Sequence, residues 1–204
     1  MFSANFMIAV VLFAISTSFT PGPNNFLLIA SGIKFGIKRT WGHIFGIAIG
    51  FPIMVFIVGF AFSNIITLNT TIFNILSILG IMYMLRLAYQ IIFSDIRYEE
   101  SDSKAKPITF LQASLFQWIN PKAWVMAFSI ASSYISFEYN FYTQLFFIAF
   151  VFFIISILSS ISWTLFGSVI KKILTKSKYI KSVNIFLGIL LIISIIQMLP
   201  QKFF

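Results

Sequence analysis

Two short runs in this 204-residue chain carry side chains and backbone irregularities that could do chemistry. The first is Thr20-Pro21-Gly22-Pro23-Asn24-Asn25. Its two prolines remove two amide donors, and Gly22 tolerates backbone angles closed to other residues. A helix cannot run straight through such a segment. It leaves free carbonyls before the break and free amides after it, and a low-dielectric setting makes both costly unless protein, water or ligand satisfies them. Asn24 or Asn25 can cap the helix that begins there. The start of a helix carries partial positive charge and attracts a carboxylate or another small anion. The alternative is a structural kink satisfied by neighbouring helices. A double proline about a glycine is a larger disruption than a kink needs.

The second run is Gln117-Trp118-Ile119-Asn120-Pro121-Lys122. Asn before Pro is the order of an N-cap and a first helical residue. Counting from Pro107 at about 1.5 Å per residue sets Asn120 about 20 Å along its helix, near the middle of a bilayer. Lys122 is then an ammonium deep in the membrane, which is expensive and points to function. The competing reading is a snorkelling lysine, or one bound to carbonyls freed by a break. Arg86, in Tyr83-Met84-Leu85-Arg86-Leu87-Ala88-Tyr89, lies one to two turns from a helix end. It is either an interfacial anchor or a second polar group on a pathway, with Tyr83 and Tyr89 able to supply hydroxyls. Gly42, Gly46 and Gly50 recur every four residues and predict a close helix-packing face. His43, the single histidine, is expected at the membrane edge as a satisfied polar residue, since metal binding requires several converging ligands.

The elements that position these residues follow from composition. Hydrophobic residues make up 59% and charged residues 9%, far below the roughly 25% charged of a soluble domain. That excludes soluble globular and disordered classes and leaves a helical membrane protein. The apolar stretches are continuous, which argues against a barrel. Charge-free runs divide into six candidate spans, near 4–31, 41–62, 72–93, 108–133, 141–167 and 183–200. Each exceeds the roughly 17 residues needed to cross hydrocarbon. The uncharged amino end reads as a retained span rather than a signal peptide.

The net charge of +9 reflects topology rather than nucleic acid binding. Eleven of the fourteen cations fall after spans one, three and five: Lys34, Lys38 and Arg39; Arg97, Lys104 and Lys106; and Lys171, Lys172, Lys176, Lys178 and Lys181. The positive-inside rule puts those loops in the cytoplasm and both termini outside. A charged linker, residues 95–107, separates a first three-helix repeat (1–94) from a second (108–204) within one membrane domain. With three spans each, the repeats are inverted. The first helix of each is broken at proline, and matched breaks in inverted halves point to a transporter's substrate site.

Absences narrow the function. All five acids (Asp95, Glu99, Glu100, Asp102 and Glu138) fall in loops, and there is no cysteine. A carboxylate proton relay, a hard-cation cage and a thiolate metal site are therefore not expected. No paired acids, nucleophile–base set or phosphate loop is present, so catalysis, a metal and a cofactor are not expected either.

On these residues the chain resembles the lysine-exporter (LysE/RhtB-type) family of bacterial amino-acid exporters. The resemblance rests on Thr20-Pro21-Gly22-Pro23-Asn24, on Gly32, Gly36, Gly42, Gly46 and Gly50, on Gly80 to Tyr83, and on Phe116 to Ala123. Beyond Ala123 only hydropathy matches. It implies a proton-driven secondary transporter in the bacterial inner membrane, exporting amino acids or related metabolites. The implied site is Pro21, Gly22, Pro23 and Asn24 with Asn120, Pro121 and Lys122. Arg86 departs from the family pattern, in which an uncharged residue is expected. The implied partners are an amino-acid substrate and membrane lipid, with a homodimer left open. With no carboxylate in any span, a neutral or zwitterionic substrate is favoured over lysine or arginine. Efflux of another solute or a metal ion, or a non-transporting membrane subunit, are the rival readings. The topology is directly checkable: reporter fusions at Ser177 should report cytoplasm and fusions at Tyr139 the exterior, and the reverse pattern would overturn it.

Overall fold

A computed structural model describes residues 2–64, 82, 85, 86, 88, 89, 91–93, 106–135, 139–173 and 177–197. Six helices are present among them: α1 (Ala4–Phe19), α2 (Pro23–Asn64), α3 (Phe110–Ile119), α4 (Pro121–Ser133), α5 (Phe141–Ile173) and α6 (Ser177–Gln197). Residues 91 and 92 are also helical. Most of the expected third span, Tyr83 included, lies outside the described residues, as does nearly all of the charged linker. Two helices, α2 over Pro23–Ala61 and α5 over Phe141–Ile173, are long and apolar enough to cross a membrane.

The expected first span, 4–31, is two helices. Phe19 ends α1, Thr20 is extended with φ −64° and ψ 130°, and Pro23 opens α2. The segment 108–133 is likewise two helices, meeting at extended Asn120 with φ −88° and ψ 108°. Thr109 opens α3 with a capping box, its hydroxyl accepting from the Gln112 amide while the Gln112 side chain accepts from the Thr109 amide.

The cationic loop expected after residue 31 takes a different form. Helix continues on both sides of Gly36, the single non-helical residue, with φ 70° and ψ 173°. Glycine alone adopts that conformation without strain, so one residue makes the turn that the cluster of cations suggested would need a loop. Lys34 and Arg39 lie over the Phe35 ring, 5.7 and 5.3 Å from its centroid. The bend also supplies the partner that makes His43 a satisfied polar residue. It is fully buried, and its Nδ1 pairs with the buried Ser31 hydroxyl at 3.1 Å, joining the segments before and after the turn.

Helices pack closely where side chains are absent. A Cβ on Gly32 would collide with the Thr164 carbonyl, and one on Gly167 with the Ile29 carbonyl, so α2 and α5 cross backbone to backbone. Gly42, Gly46 and Gly50 face α3: a Cβ on Gly46 would stand 2.5 Å from the Phe110 carbonyl oxygen, and one on Gly50 2.7 Å from Ser114 Cα. The Ser114 hydroxyl donates to the Gly46 carbonyl at 3.0 Å.

Two apolar clusters sit on either side of the chain breaks. One joins Val10 and Ala14 of α1, Phe51 to Val58 of α2, Ala123 to Ile130 of α4, and Ile148 and Phe152 of α5. The other joins Phe26 to Ile33 of α2, Ala88, Ile91, Phe116 of α3 and Leu187 of α6. Every helix that enters the first cluster does so on one side of the breaks, and the second cluster gathers the segments beyond them.

The two glycine types predict different mutational profiles. Gly36 has open space around its missing side chain. Gly36→Ala and Gly36→Leu should therefore cost about the same, ~1–3 kcal/mol, from backbone strain alone. Gly46→Leu should be far worse than Gly46→Ala, because bulk meets α3 backbone. Thermal unfolding of the detergent-solubilised protein checks both, and a steep size dependence at Gly36 would contradict the assignment.

Candidate functional site

Each chain break exposes polar backbone, and its satisfaction builds the site. At the end of α1 the carbonyls of Ser18, Thr20 and Pro21 face away from any continuing helix. Asn25 Nδ2 donates to Ser18 O at 3.2 Å and to Thr20 O at 2.8 Å. Ser159 of α5 donates its hydroxyl to Ser18 O at 2.8 Å. Lys122 Nζ donates to Thr20 O at 2.6 Å and reaches Pro21 O at 3.5 Å. Its stem runs past Gly22, where a Cβ would stand 2.8 Å from Lys122 Cδ. The Thr20 hydroxyl turns back to the Ser16 carbonyl. Lys122 is thus an ammonium held at the negative end of a helix by a charge-assisted bond.

The second break is closed largely by its own cap. Asn120 Oδ1 accepts from the Lys122 amide at 3.1 Å, and Asn120 O accepts from the amides of Ala123 and Trp124 at 3.0 and 3.3 Å. Trp124 Nε1 donates to Trp118 O at 2.7 Å. The start of α4 therefore has few amides to offer an anion. The start of α2 differs. Phe26 N bonds Gly22 O at 3.0 Å, while the backbone amides of Asn24 and Asn25 have no partner among the described residues.

A reciprocal amide pair ties the two breaks together. Asn24 Nδ2 donates to Gln117 Oε1 at 2.9 Å, and Gln117 Nε2 donates back to Asn24 Oδ1 at 3.3 Å and to Ala113 O at 2.9 Å. Gln117 and Asn120 are fully buried, so neither amide can exchange its partners for bulk water without a rearrangement.

Between these groups lies a cavity of about 40 Å³. It is lined by Thr17 and Ser18 of α1, Gly22, Asn24, Asn25, Ile47 and Phe51 of the α2 segment, Gln117, Asn120, Lys122, Ala123 and Met126 around the second break, and Ser156, Ser159 and Ser160 of α5. That volume holds about three waters. Among the described lining residues Lys122 is the one ionisable side chain, and no carboxylate joins it.

Of the residues singled out in the sequence, Gly22, Asn24, Asn120 and Lys122 line the cavity. Pro21, Pro23 and Pro121 shape the breaks without lining it. Arg86 is exposed and away from it, and Tyr83 is outside the described residues. The sequence reading did not pick out Ser156, Ser159 and Ser160. Their spacing of three and four places them on one helical face within an apolar helix, a signal that was present but resembles ordinary packing serines.

A helical membrane protein with a small polar cavity at two helix breaks has the anatomy of a solute transporter. The chain matches the LysE type translocator family over residues 15–199 and belongs to it. Members of this family are transporters, not enzymes. A cysteine/O-acetylserine efflux protein of Escherichia coli O139:H28 is 26% identical over 181 residues, covering 88% of this chain and 90% of the relative. Proteins of the same description from Escherichia coli K12 and Shigella sonnei are each 25% identical over 181 residues, with the same coverage. No solved structure matches the chain.

The Asn24–Gln117 pair predicts strong coupling. Gln117→Leu and Asn24→Leu should each destabilise by ~1–3 kcal/mol, because each leaves an amide short of a partner in a buried site. The double variant should lose less than the sum of the two. Additive losses in a thermal unfolding cycle would mean the two breaks are not tied through this pair.

Proposed function

We propose that the protein exports small neutral or zwitterionic amino acids, or close metabolites of them, from the bacterial cytoplasm across the inner membrane. The observation that carries this reading is that one cavity borders both poles of an interrupted helix. Carbonyls at the end of α1 suit an ammonium, and the amides of Asn24 and Asn25 at the start of α2 suit a carboxylate. An α-amino acid carries those two charges on adjacent groups. Among the described lining residues no carboxylate is available to neutralise a cationic side chain, which disfavours lysine and arginine. The relatives' names, cysteine and O-acetylserine efflux, describe solutes of this kind.

Alternating access uses the two apolar clusters as seals, one on each side of the cavity. Residues 1–94 and 108–204 act as two inverted three-helix repeats that rock about the breaks, with both termini outside and the proton gradient as the energy source. Pro21, Gly22, Pro23 and Asn24, with Asn120, Pro121 and Lys122, form the substrate site.

Purified protein in liposomes tests the reading with a panel of labelled cysteine, O-acetylserine, alanine, lysine and arginine. Flux of the neutral members is the expected outcome. Flux confined to lysine and arginine would refute the zwitterion preference, and no flux for any member would refute amino-acid export.

A further inference from the structure

The ammonium of Lys122 already occupies the place that the efflux reading assigns to a substrate ammonium. It sits 2.6 Å from Thr20 O and 3.5 Å from Pro21 O, at the helix end whose dipole favours a cation. We propose that these carbonyls are a single ammonium site, occupied in turn by Lys122 and by the substrate, and that this exchange is what couples transport to protons.

The geometry explains why occupancy is exclusive. The Lys122 stem passes directly over Gly22, so its ammonium reaches the carbonyls of exposed Thr20 and Pro21. A substrate whose carboxylate lies at the Asn24 and Asn25 amides places its own ammonium against the same carbonyls. Thr20 O already accepts from Asn25 Nδ2 at 2.8 Å, leaving one lone pair for a cation. One ammonium must leave for the other to bind.

The displaced Lys122 then meets only neutral groups among the described lining residues. The groups facing it are hydroxyls and amides: Ser18 from α1, Asn24 and Asn25 from α2, Gln117 from α3, and Ser156 and Ser159 from α5. Among the described residues lining the cavity there is no carboxylate, imidazole or second cation. An ammonium left with only neutral protein partners in such a site gives its proton to water on the open side, becoming a neutral amine as that water becomes hydronium. When the substrate leaves on the other side, the amine takes a proton from water there and returns to the carbonyls. Each cycle moves one substrate one way and one proton the other. Lys122 is thus a tethered stand-in for the substrate's own ammonium. The site selects molecules bearing a primary ammonium.

This inference rests on the efflux reading, and the test separates the two. Liposomes carrying the protein are clamped at zero potential, with the lumen one pH unit more acid than a bath of labelled L-cysteine kept under reductant. Wild type should accumulate cysteine about tenfold for one-for-one exchange. Lys122→Gln, which cannot be protonated, and Lys122→Arg, which stays charged, should both lose accumulation, leaving lumen and bath equal. In wild type, cysteamine, which keeps the ammonium, should compete with cysteine flux, and 3-mercaptopropionate, which lacks it, should not. The competition result decides the matter if neither variant carries flux. Accumulation retained by Lys122→Gln, or equal competition by both analogues, would overturn the shared site while leaving efflux intact. A wild-type protein without cysteine flux would overturn the inference together with its premise.

Discussion

The structure is organised by the cost of unpaired backbone groups away from water. An unsatisfied carbonyl or amide in such a setting costs several kcal/mol, so a helix can be interrupted only where other groups replace its lost bonds. At the end of α1 three donors of different origin do this: Asn25 from just beyond the break, Ser159 from α5 and Lys122 from α4. Satisfying those carbonyls thus draws three helices to one point. The cavity is what remains between them.

The close helix crossings serve the same end. Backbone-level contact at Gly32 and Gly167 brings α5 near enough to α2 for Ser168 to bond Gly32 O and, farther along α5, for Ser159 to reach Ser18 O. Contact at Gly46 and Gly50 holds α3 so that Gln117 meets Asn24. Small residues therefore do more than permit packing, since they set the distances at which short polar side chains can reach. A serine has no length to spare, and a shift of one methyl group in these crossings would break its bond.

The interruptions were legible because proline and glycine act locally: Pro21-Gly22-Pro23 and Asn120-Pro121 limit the backbone whatever surrounds them. Lys122 was legible through the cost of its charge, and its partners were foreseen only as an alternative, namely carbonyls freed by a break. Three features were less accessible for physical reasons. Gly36 makes a one-residue turn, whereas three nearby cations suggested a loop, because charge patterning reports which side a segment faces and not how sharply it bends. His43 is buried against Ser31, a contact that exists only once that bend has formed. The serines of α5 face the cavity because of how α5 crosses α2, which no local pattern encodes.

The small cavity and the position of Lys122 are set by the same contacts. The space of about 40 Å³ has room for a few waters, and Phe51, Ala123 and Met126 of the first apolar cluster form part of its wall. Ser156, Ser159, Asn25 and Gln117 nonetheless line it with polar atoms, and such atoms are costly to gather at a site that never hydrates. The lining is held by bonds that water or substrate can replace once the surrounding side chains rearrange. Gly22 allows that replacement, because a side chain there would push Lys122 off the carbonyls. The missing side chain at Gly22 thus joins the lysine's position to the broken helix: it permits the interruption and leaves the gap through which the lysine reaches the carbonyls.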